Sequence, residues 1–365
     1  MHKLELQDVS KRFGLVVALK PTTISVREGE FLTLLGPSGS GKTTLLQLLS
    51  GLYVPDSGRI LIDGKDATHQ EAHKRDIGLV FQNYALFPHL TVAENVAFPL
   101  KMRKRPAAEI AERVRRVLEL VRLPHMGDRL PKELSGGQQQ RIALARCAVY
   151  TPSVILMDEP LGALDKKLRD QMQIEITRLH KELGATIIFV THDQEEAMAM
   201  SDRICLMNEG GIEQIGTPDD LYFRPKSLFV GQFFGSPNVL RGKIVARDGD
   251  VAAVDVGAAD LLRAPFGMSG LAVGDRAAVL VRPESVVIGA GQGETHNCLD
   301  ACFDMTMVTG PMTRHHLRRP AGEELVCLSL TSARHLAHRP GEPLTLSWPI
   351  ADGVLLPVPA DGAAA

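Results

Sequence analysis

The 365-residue chain lacks any run approaching the roughly 18 consecutive apolar residues of a membrane-spanning helix. Its opening, MHKLELQDVS, lacks the basic, apolar and small-residue succession of a secretory leader, so the chain is expected to stay in the cytoplasm. It also lacks an excess of one charge. With 41 basic and 43 acidic residues the net charge is −2, which excludes a broad electrostatic footprint for nucleic acid. CxxC pairs are absent too. The five cysteines, Cys147, Cys205, Cys298, Cys302 and Cys327, are odd in number and read as reduced thiols rather than a disulfide framework. The spacing of Cys298 and Cys302 would set both on one face of a helix, where a metal could bind, but no second pair of ligands accompanies them. No repeat of fixed period is apparent. Lysine is absent beyond Lys243, and long helical patterns stop near residue 235 while Gly, Pro and Val stay frequent. That shift places a domain boundary at 235/236, consistent with the two or three domains expected at about 150 residues each.

What is present is ordinary for a globular protein, with 44% hydrophobic and 23% charged residues. Short apolar runs at Phe31–Leu35, Val154–Met157 and Thr186–Val190, bounded by turn residues and separated by helical periodicity, read as buried parallel strands of an α/β sheet. Residues 105–123 align Ile110, Val114, Val117, Leu118 and Val121 on one stripe with charges opposite, which predicts a surface helix. Downstream, Ala277–Arg282, Val286–Ile288, Glu324–Leu330 and Pro343–Trp348 lie between Gly/Pro turns and read as strands of small β-barrels. Residues 356–365 read as a loose tail.

The chemistry concentrates at Gly36-Pro37-Ser38-Gly39-Ser40-Gly41-Lys42-Thr43, which fits GxxxxGK[ST], follows an apolar strand and precedes a helical run beginning at Thr44. Such a loop turns backbone N–H groups and a helix N-terminus toward an anion. Lys42 can then reach the β- and γ-phosphates of a nucleotide, and the Thr43 hydroxyl can ligate Mg²⁺. A glycine turn with a solvated lysine is the plainer alternative. The strand Val154–Met157 runs into Asp158 and Glu159, two carboxylates that are costly beside a core without a counter-charge. Asp158 suits a Mg²⁺ ligand, and Glu159 can polarise an attacking water.

These motifs admit any P-loop NTPase, kinases included. Leu134-Ser135-Gly136-Gly137-Gln138, followed by Gln139-Gln140-Arg141, resembles the signature sequence of ABC-type ATPases. A serine, two glycines and a helix start make a second anion site, and a chain already holding one phosphate loop then implies two copies facing each other. The resemblance extends to Phe13 as the aromatic that stacks on adenine, with phenylalanine where many relatives carry tyrosine. It also covers Gln82 as the glutamine that touches Mg²⁺ or water, Ala163-Leu164-Asp165 as the D-loop that bridges subunits, and His192 as the histidine that bonds the γ-phosphate. It implies ATP held by Phe13 and Gly36 through Thr44, and Mg²⁺ by Thr43, Gln82 and Asp158. Catalysis falls to Lys42, Gln82, Glu159 and His192, with Ser135, Gly136, Gly137 and Gln138 supplied by the other subunit of a homodimer.

Beyond residue 212 the wording, with Val281-Arg282-Pro283-Glu284, is similar to importer ATPases that end in a TOBE-type domain. The implied architecture is a P-loop NTPase of RecA-like core with a helical subdomain at about 85–155, through residue 235, followed at 236–355 by an all-β, OB-like regulatory domain. The segments 15–26, 82–95 and 229–238 are most similar to spermidine/putrescine-type subunits; iron(III), 2-aminoethylphosphonate and sugar importers are the nearer alternatives, and a non-transport ABC ATPase the farther. The resemblance implies two permease subunits and a solute-binding protein as partners, no nucleic acid, and a peripheral place on the cytoplasmic face of the plasma membrane. Residues 83–105, with Tyr84, Phe87, Pro88, His89 and Leu90, would be subdomain core or the groove that receives a permease helix. The basic stretch Thr313–Arg319 reads as a solvated hairpin, an anion site being the sharper alternative.

Overall fold

The chain opens with a long antiparallel hairpin, β1 (His2–Phe13) and β2 (Val16–Arg27), followed by β3 (Phe31–Leu35) and helix α1 (Lys42–Ser50). In this computed structural model residues 2–162, 164–267, 270–291, 293–332 and 338–358 are described. Strands β4 (Ser57–Ile62) and β5 (Lys65–Asp66) join the hairpin in a sheet of order β2-β1-β4-β5. A second sheet gathers β6 (Ile77–Val80), β7 (Val154–Asp158), β8 (Thr186–Val190), β9 (Arg203–Asn208) and β10 (Gly211–Gly216) around β3, in the order β10-β9-β3-β8-β7-β6. All its neighbours are parallel except β9 and β10.

The side chains explain why these strands are apolar throughout. Phe31, Ile155, Met157, Ile187 and Phe189 enter one core, while Leu32, Leu34, Val154, Leu156, Ile188 and Val190 enter another on the opposite face. Successive strand residues point to opposite faces, so a sheet covered on both sides needs apolar residues at every position. The first core receives α2 (Val92–Met102), α3 (Ala107–Leu120), α4 (Gly136–Ala148) and α5 (Lys166–Leu183); the second receives α1. On α3 the stripe read from the sequence is real: Val114, Val117 and Leu118 are buried, while Arg115 pairs with Glu112 and Glu119 in solvent. Burial decides this helix, at about 1.5–3 kcal/mol per apolar side chain, because water screens the exposed pairs. The short helix α6 (Gln194–Met200) follows β8.

The chain divides into two compact units at Pro218/Asp219. Two short helices, α7 (Pro218–Phe223) and α8 (Leu228–Phe233), precede an all-β assembly. Its strands are β11 (Asn238–Asp248), β12 (Val251–Asp255), β13 (Leu261–Pro265), β14 (Arg276–Val281), β15 (Val287–Ile288), β16 (His296–Val308), β17 (Met312–Arg318), β18 (Glu324–Leu330), β19 (Pro343–Pro349) and β20 (Val354–Pro357). They form two antiparallel five-stranded sheets, β13-β12-β11-β14-β20 and β15-β19-β16-β17-β18, around one core that includes Leu240, Val279, Leu346 and Trp348. The helices belong with these strands for a stated reason. Arg282, nearly fully buried, donates from Nη1 to the Gly231 carbonyl at 2.9 Å and to that of Phe234, and from Nη2 to the Tyr222 carbonyl at 2.6 Å. Leu228 packs on Ala278, Leu280 and Leu356. The boundary expected at 235/236 thus lies beyond α7 and α8.

Two readings left open by the sequence are decided. Cys298 and Cys302 lie on strand β16, both exposed, so at about 3.3 Å per residue they stand about 13 Å apart and cannot share a metal. The basic stretch is strand β17 and its end, the first arm of an antiparallel hairpin with β18, with alternate side chains buried rather than all solvated. Arg318 pairs with Glu324 at 3.0 Å, fully buried Arg319 pairs with Asp260 at 2.7 Å and Glu323 at 2.9 Å, and His315 is buried against Thr306 and Ser329. The expected tail is shorter at its start, since Leu356 and Pro357 pair with β14 as the end of β20; residues 359–365 lie outside the described residues, as does Ala163 of the D-loop. Among the described residues no helix is long and apolar enough to cross a membrane.

Candidate functional site

Four adjacent parallel strands deliver their next residues to one place, the carboxyl side of the sheet, where open α/β sheets bind ligands. Strand β3 runs into Gly36, β8 into Thr191 and His192, β7 ends on Asp158 and continues to Glu159, and β6 leads to Gln82. Leu34 and Asp158 are both in register with Val190, and Val80 with Met157, so the four exits lie side by side at about 4.8 Å per strand.

The glycine loop between β3 and α1 is held by close backbone packing. Gly36 has φ 154°, and a Cβ there would meet the Met207 carbonyl oxygen at 2.1 Å. Gly41 caps α1. Pro37, Ser38, Gly39 and Thr43 are exposed, Ser40 is buried and Thr44 half-buried, so the loop offers its outer face and the start of α1 to a ligand. Lys42 is 6% exposed. Its Nζ donates to the Gly36 carbonyl at 2.8 Å and the Pro37 carbonyl at 2.9 Å. Burial lowers its pKa, partly offset by attraction to Glu159 and Asp158, which places the ammonium within electrostatic reach of both carboxylates.

Burial raises the pKa of Asp158, the charge of Glu159 adds to the rise, and Lys42 opposes it. Glu159 adopts φ 43°, a left-handed conformation uncommon for a residue with a side chain, while its N–H donates to the Val190 carbonyl at 3.0 Å. That anchor holds the strained turn, and strain of this kind clusters at functional sites. The Glu159 Oε2 lies 3.3 Å from Nδ1 of His192, whose side chain is 60% exposed. Gln82 is exposed after β6, its Nε2 within 3.7 Å of where a Cβ on Gly162 would stand. Lys42, Gln82, Asp158, Glu159 and His192 are therefore brought together from sequence positions spread over most of the first unit.

Other expected residues stand on separate elements. Phe13, 43% exposed at the hairpin end, meets Tyr53 edge to face with ring centroids 5.3 Å apart. Lys11 fixes that contact by donating to the Val54 carbonyl and the Asp56 carboxylate, each at 2.8 Å. Ser135 is the exposed N-cap of α4: its Oγ accepts from the Gln138 N–H and its own N–H donates to the Gln138 Oε1 at 2.9 Å. Gly136 is exposed, and Gly137 is buried close against Leu168, where a Cβ would stand 2.9 Å from Cδ1 and displace that side chain. Asp165 is exposed and caps α5 by accepting from the Leu168 N–H at 2.9 Å. The signature and D-loop segments thus pack on each other, with their capping residues toward solvent. In the segment after Gln82, Tyr84 is buried, Phe87 packs on Phe98 at 4.6 Å, Leu90 is half-buried, and Pro88 and His89 are exposed.

Sequence reasoning missed Tyr53, and it missed the set of polar residues behind His192: Arg169, Asp193 and Glu196. Only Asp193 carried a signal, as an N-cap residue ahead of α6.

Comparison with known proteins adds kinship to this geometry. The family described as ABC transporter matches residues 19–162, and the TOBE domain family matches residues 279–356. The chain is 52% identical over 285 residues to the spermidine/putrescine import ATP-binding protein PotA of Oleidesulfovibrio alaskensis, covering 77% of this chain and 75% of that protein. With the protein of the same name from Nitrosomonas eutropha it shares 44% identity over 354 residues, 96% of this chain and 97% of the other. Among solved structures it is similar to cbiO1 from Clostridium perfringens, part of the ABC transporter complex cbiONQ, with TM-score 0.57 and 33% identity over 60% of this chain and 90% of that one. It is also similar to the dimeric ATP-binding cassette MJ0796 in a post-hydrolysis state bound to ADP and Pi, with TM-score 0.52 and 34% identity over 59% of this chain and 98% of that one.

Proposed function

This chain belongs to the ABC transporter family and is an ATP-hydrolysing subunit of that class, and we propose that the transporter it energises imports polyamines of the spermidine/putrescine kind. The cargo reading is supported by the names of the curated relatives, at 52% and 44% identity. The observation that carries the chemistry is the meeting of Lys42, Asp158, Glu159 and His192 at the carboxyl ends of β3, β7 and β8.

In this reading Phe13 stacks on the adenine, and residues 36–44 wrap the phosphates with backbone N–H groups and the Lys42 ammonium. A Mg²⁺ ion fits the donor set of Thr43, Gln82 and Asp158. Burial and Glu159 leave the Asp158 carboxyl short of a counter-charge, and among the described residues no His/Cys/Asp/Glu cluster forms a separate metal cage. That matches a cation bound through one carboxylate and substrate phosphates, and it would supply positive charge at the γ-phosphate. Glu159 orients the attacking water and takes its proton. Because Nδ1 of His192 faces Glu159, its Nε2 is left to hydrogen-bond the γ-phosphate. Ser135, Gly136, Gly137 and Gln138 act on the nucleotide of a second copy, and Asp165 lies at the seam between copies. The exposed part of 83–105 receives a permease helix. The working assembly is a homodimer on two permease subunits with a solute-binding protein, at the cytoplasmic face of the plasma membrane, without nucleic acid.

The test is reassembly of the full chain in vesicles with the permease subunits and solute-binding protein that co-purify with it. ATP hydrolysis should rise when the binding protein is loaded with spermidine or putrescine, and not with iron(III), 2-aminoethylphosphonate or maltose. Stimulation by one of the latter instead would overturn the polyamine reading.

A further inference from the structure

His192 is mostly exposed and its ring touches Glu159 through Nδ1, so the turn that presents it is set by the residues on either side of it in the chain. Both are tied down. On one side the Thr191 hydroxyl donates to Glu196 Oε2 at 2.6 Å and accepts from the Asp193 N–H at 3.0 Å. On the other, Asp193 Oδ1 accepts from the N–H groups of Glu195 and Glu196 at the start of α6, at 2.8 and 3.3 Å. The remaining oxygen, Asp193 Oδ2, accepts from Nη1 of Arg169 at 3.1 Å.

Arg169 stands on α5, four residues past Asp165, and its N–H donates to the Asp165 carbonyl at 2.8 Å. Its second prong, Nη2, donates to the Leu164 carbonyl at 3.1 Å. Its Nε lies 3.7 Å from Glu196 Oε1, and Glu196 is 3% exposed. A guanidinium is planar and rigid, so its prongs move together. A displacement of the Leu164 carbonyl is therefore carried to Asp193, and the residue between Asp193 and Thr191 is His192.

We propose that Arg169 is a positioning residue for ATP hydrolysis: its guanidinium fork couples the Leu164–Asp165 loop to the turn that carries His192, setting the histidine only while that loop is in place. This rests on the hydrolytic reading above, in which the same loop lies at the seam between two copies. Docking of the second copy then fixes the Asp165 loop, and the fork passes that order to the γ-phosphate side of the site. The competing account makes Arg169 a structural counter-ion for buried Glu196, whose carboxyl burial holds above its ordinary range.

The two accounts separate in three variants of the full chain, each assayed beside the unaltered chain for steady-state ATP hydrolysis and thermal midpoint. Positioning predicts that Arg169→Met lowers kcat by about ten- to a hundredfold while KM moves less than about threefold, the scale of a misplaced catalytic group. Arg169→Lys, with the charge but not the fork, should fall between Arg169→Met and the unaltered chain. In Arg169→Met/Glu196→Gln the amide still accepts from Thr191 and the buried carboxylate is gone, Asp193 being partly solvated and still bonded to the α6 N–H groups. That variant should regain the thermal midpoint and stay slow. Recovery of kcat together with the midpoint would overturn the proposal in favour of a structural pair, as would an Arg169→Met rate within about twofold of the unaltered chain. If the unaltered chain showed no turnover, the hydrolytic reading itself would fall and the positioning role with it.

Discussion

Replacing Glu159 by glutamine separates chemistry from folding, because the structure assigns very different weights to the two. The substitution keeps the shape of the side chain and the N–H bond to Val190, and both residue types carry the same left-handed turn at φ 43°. What is lost to stability is the charge on the carboxylate contact with His192 Nδ1 across 3.3 Å, one partner 60% exposed. Such exposed pairs contribute about 0–1 kcal/mol. Against that loss, Asp158 no longer faces a neighbouring charge that raises its pKa, which offsets part of it. The thermal midpoint should therefore move by no more than a few degrees. A general base in the transition state contributes about 10²–10⁴-fold, or roughly 2.7–5.4 kcal/mol at 1.36 kcal/mol per decade. Phosphate release at saturating ATP should fall at least a hundredfold, while the variant still binds ATP and forms an ATP-stabilised dimer by sedimentation. A rate within about tenfold of the unaltered chain would refute the role of Glu159 as base, and a midpoint loss of ten degrees or more would show that its main work is structural.

Two further outcomes follow from local geometry. Gly36→Ala sets a methyl group 2.1 Å from the Met207 carbonyl at φ 154°, so the loop must shift; the strain is about 1–3 kcal/mol, and thermal shift measurements should show both a lower midpoint and no added protection by ATP. Burial pushes the thiols of Cys147 and Cys327 up to about 11 and that of Cys205 to about 12, whereas Cys298 and Cys302 are exposed. A thiol-reactive dye at pH 8 should thus label two cysteines rapidly and three only on unfolding. Because these folded pKa values are raised, the stabilisation they reflect is complete below the ordinary thiol value of 9.0 and is lost as pH rises through about 11–12. Midpoints measured from pH 8 upward should fall in that window, and a flat profile would contradict the burial of the three thiols.

How much of this was legible beforehand depends on where the information sits. β3 and β8 could be read to the residue because both faces of the sheet are buried, which writes unbroken apolar runs into the sequence. The hairpin β1–β2 could not. Its register shifts repeatedly, at Leu6/Val9 among other places, so polar residues such as Gln7, Asp8, Ser10 and Lys11 break any simple alternation. The glycine loop, Asp158 and Glu159 were legible because their chemistry is local and each follows a recognisable strand. Arg169 was not: on α5 it looks like any exposed helical cation, and its partners Asp193 and Glu196 meet it only after β8 has laid the next turn beside it. Cys298 and Cys302 left a second reading open for the opposite reason, since the same spacing means one face of a helix and one face of a strand, and only pairing with β17 and β19 decides. Arg282 was noticed for its sequence neighbours, yet its acceptors at Tyr222, Gly231 and Phe234 lie far back along the chain.

That last residue bears on how such chains could be recombined. A genetic crossover that exchanged the C-terminal module between two ATPases after Phe234 would carry the buried guanidinium off with the module and leave its three carbonyl acceptors behind, to be replaced by those of a foreign sequence. Stranding a buried charge costs about 3–5 kcal/mol, a large share of a domain's whole stability. Since the acceptors are main-chain groups, any sequence that keeps the two helical turns would serve, so the inheritance required is one of backbone path rather than of side chains. The tolerated joint lies ahead of α7, and the pair of short helices travels as luggage of the β module.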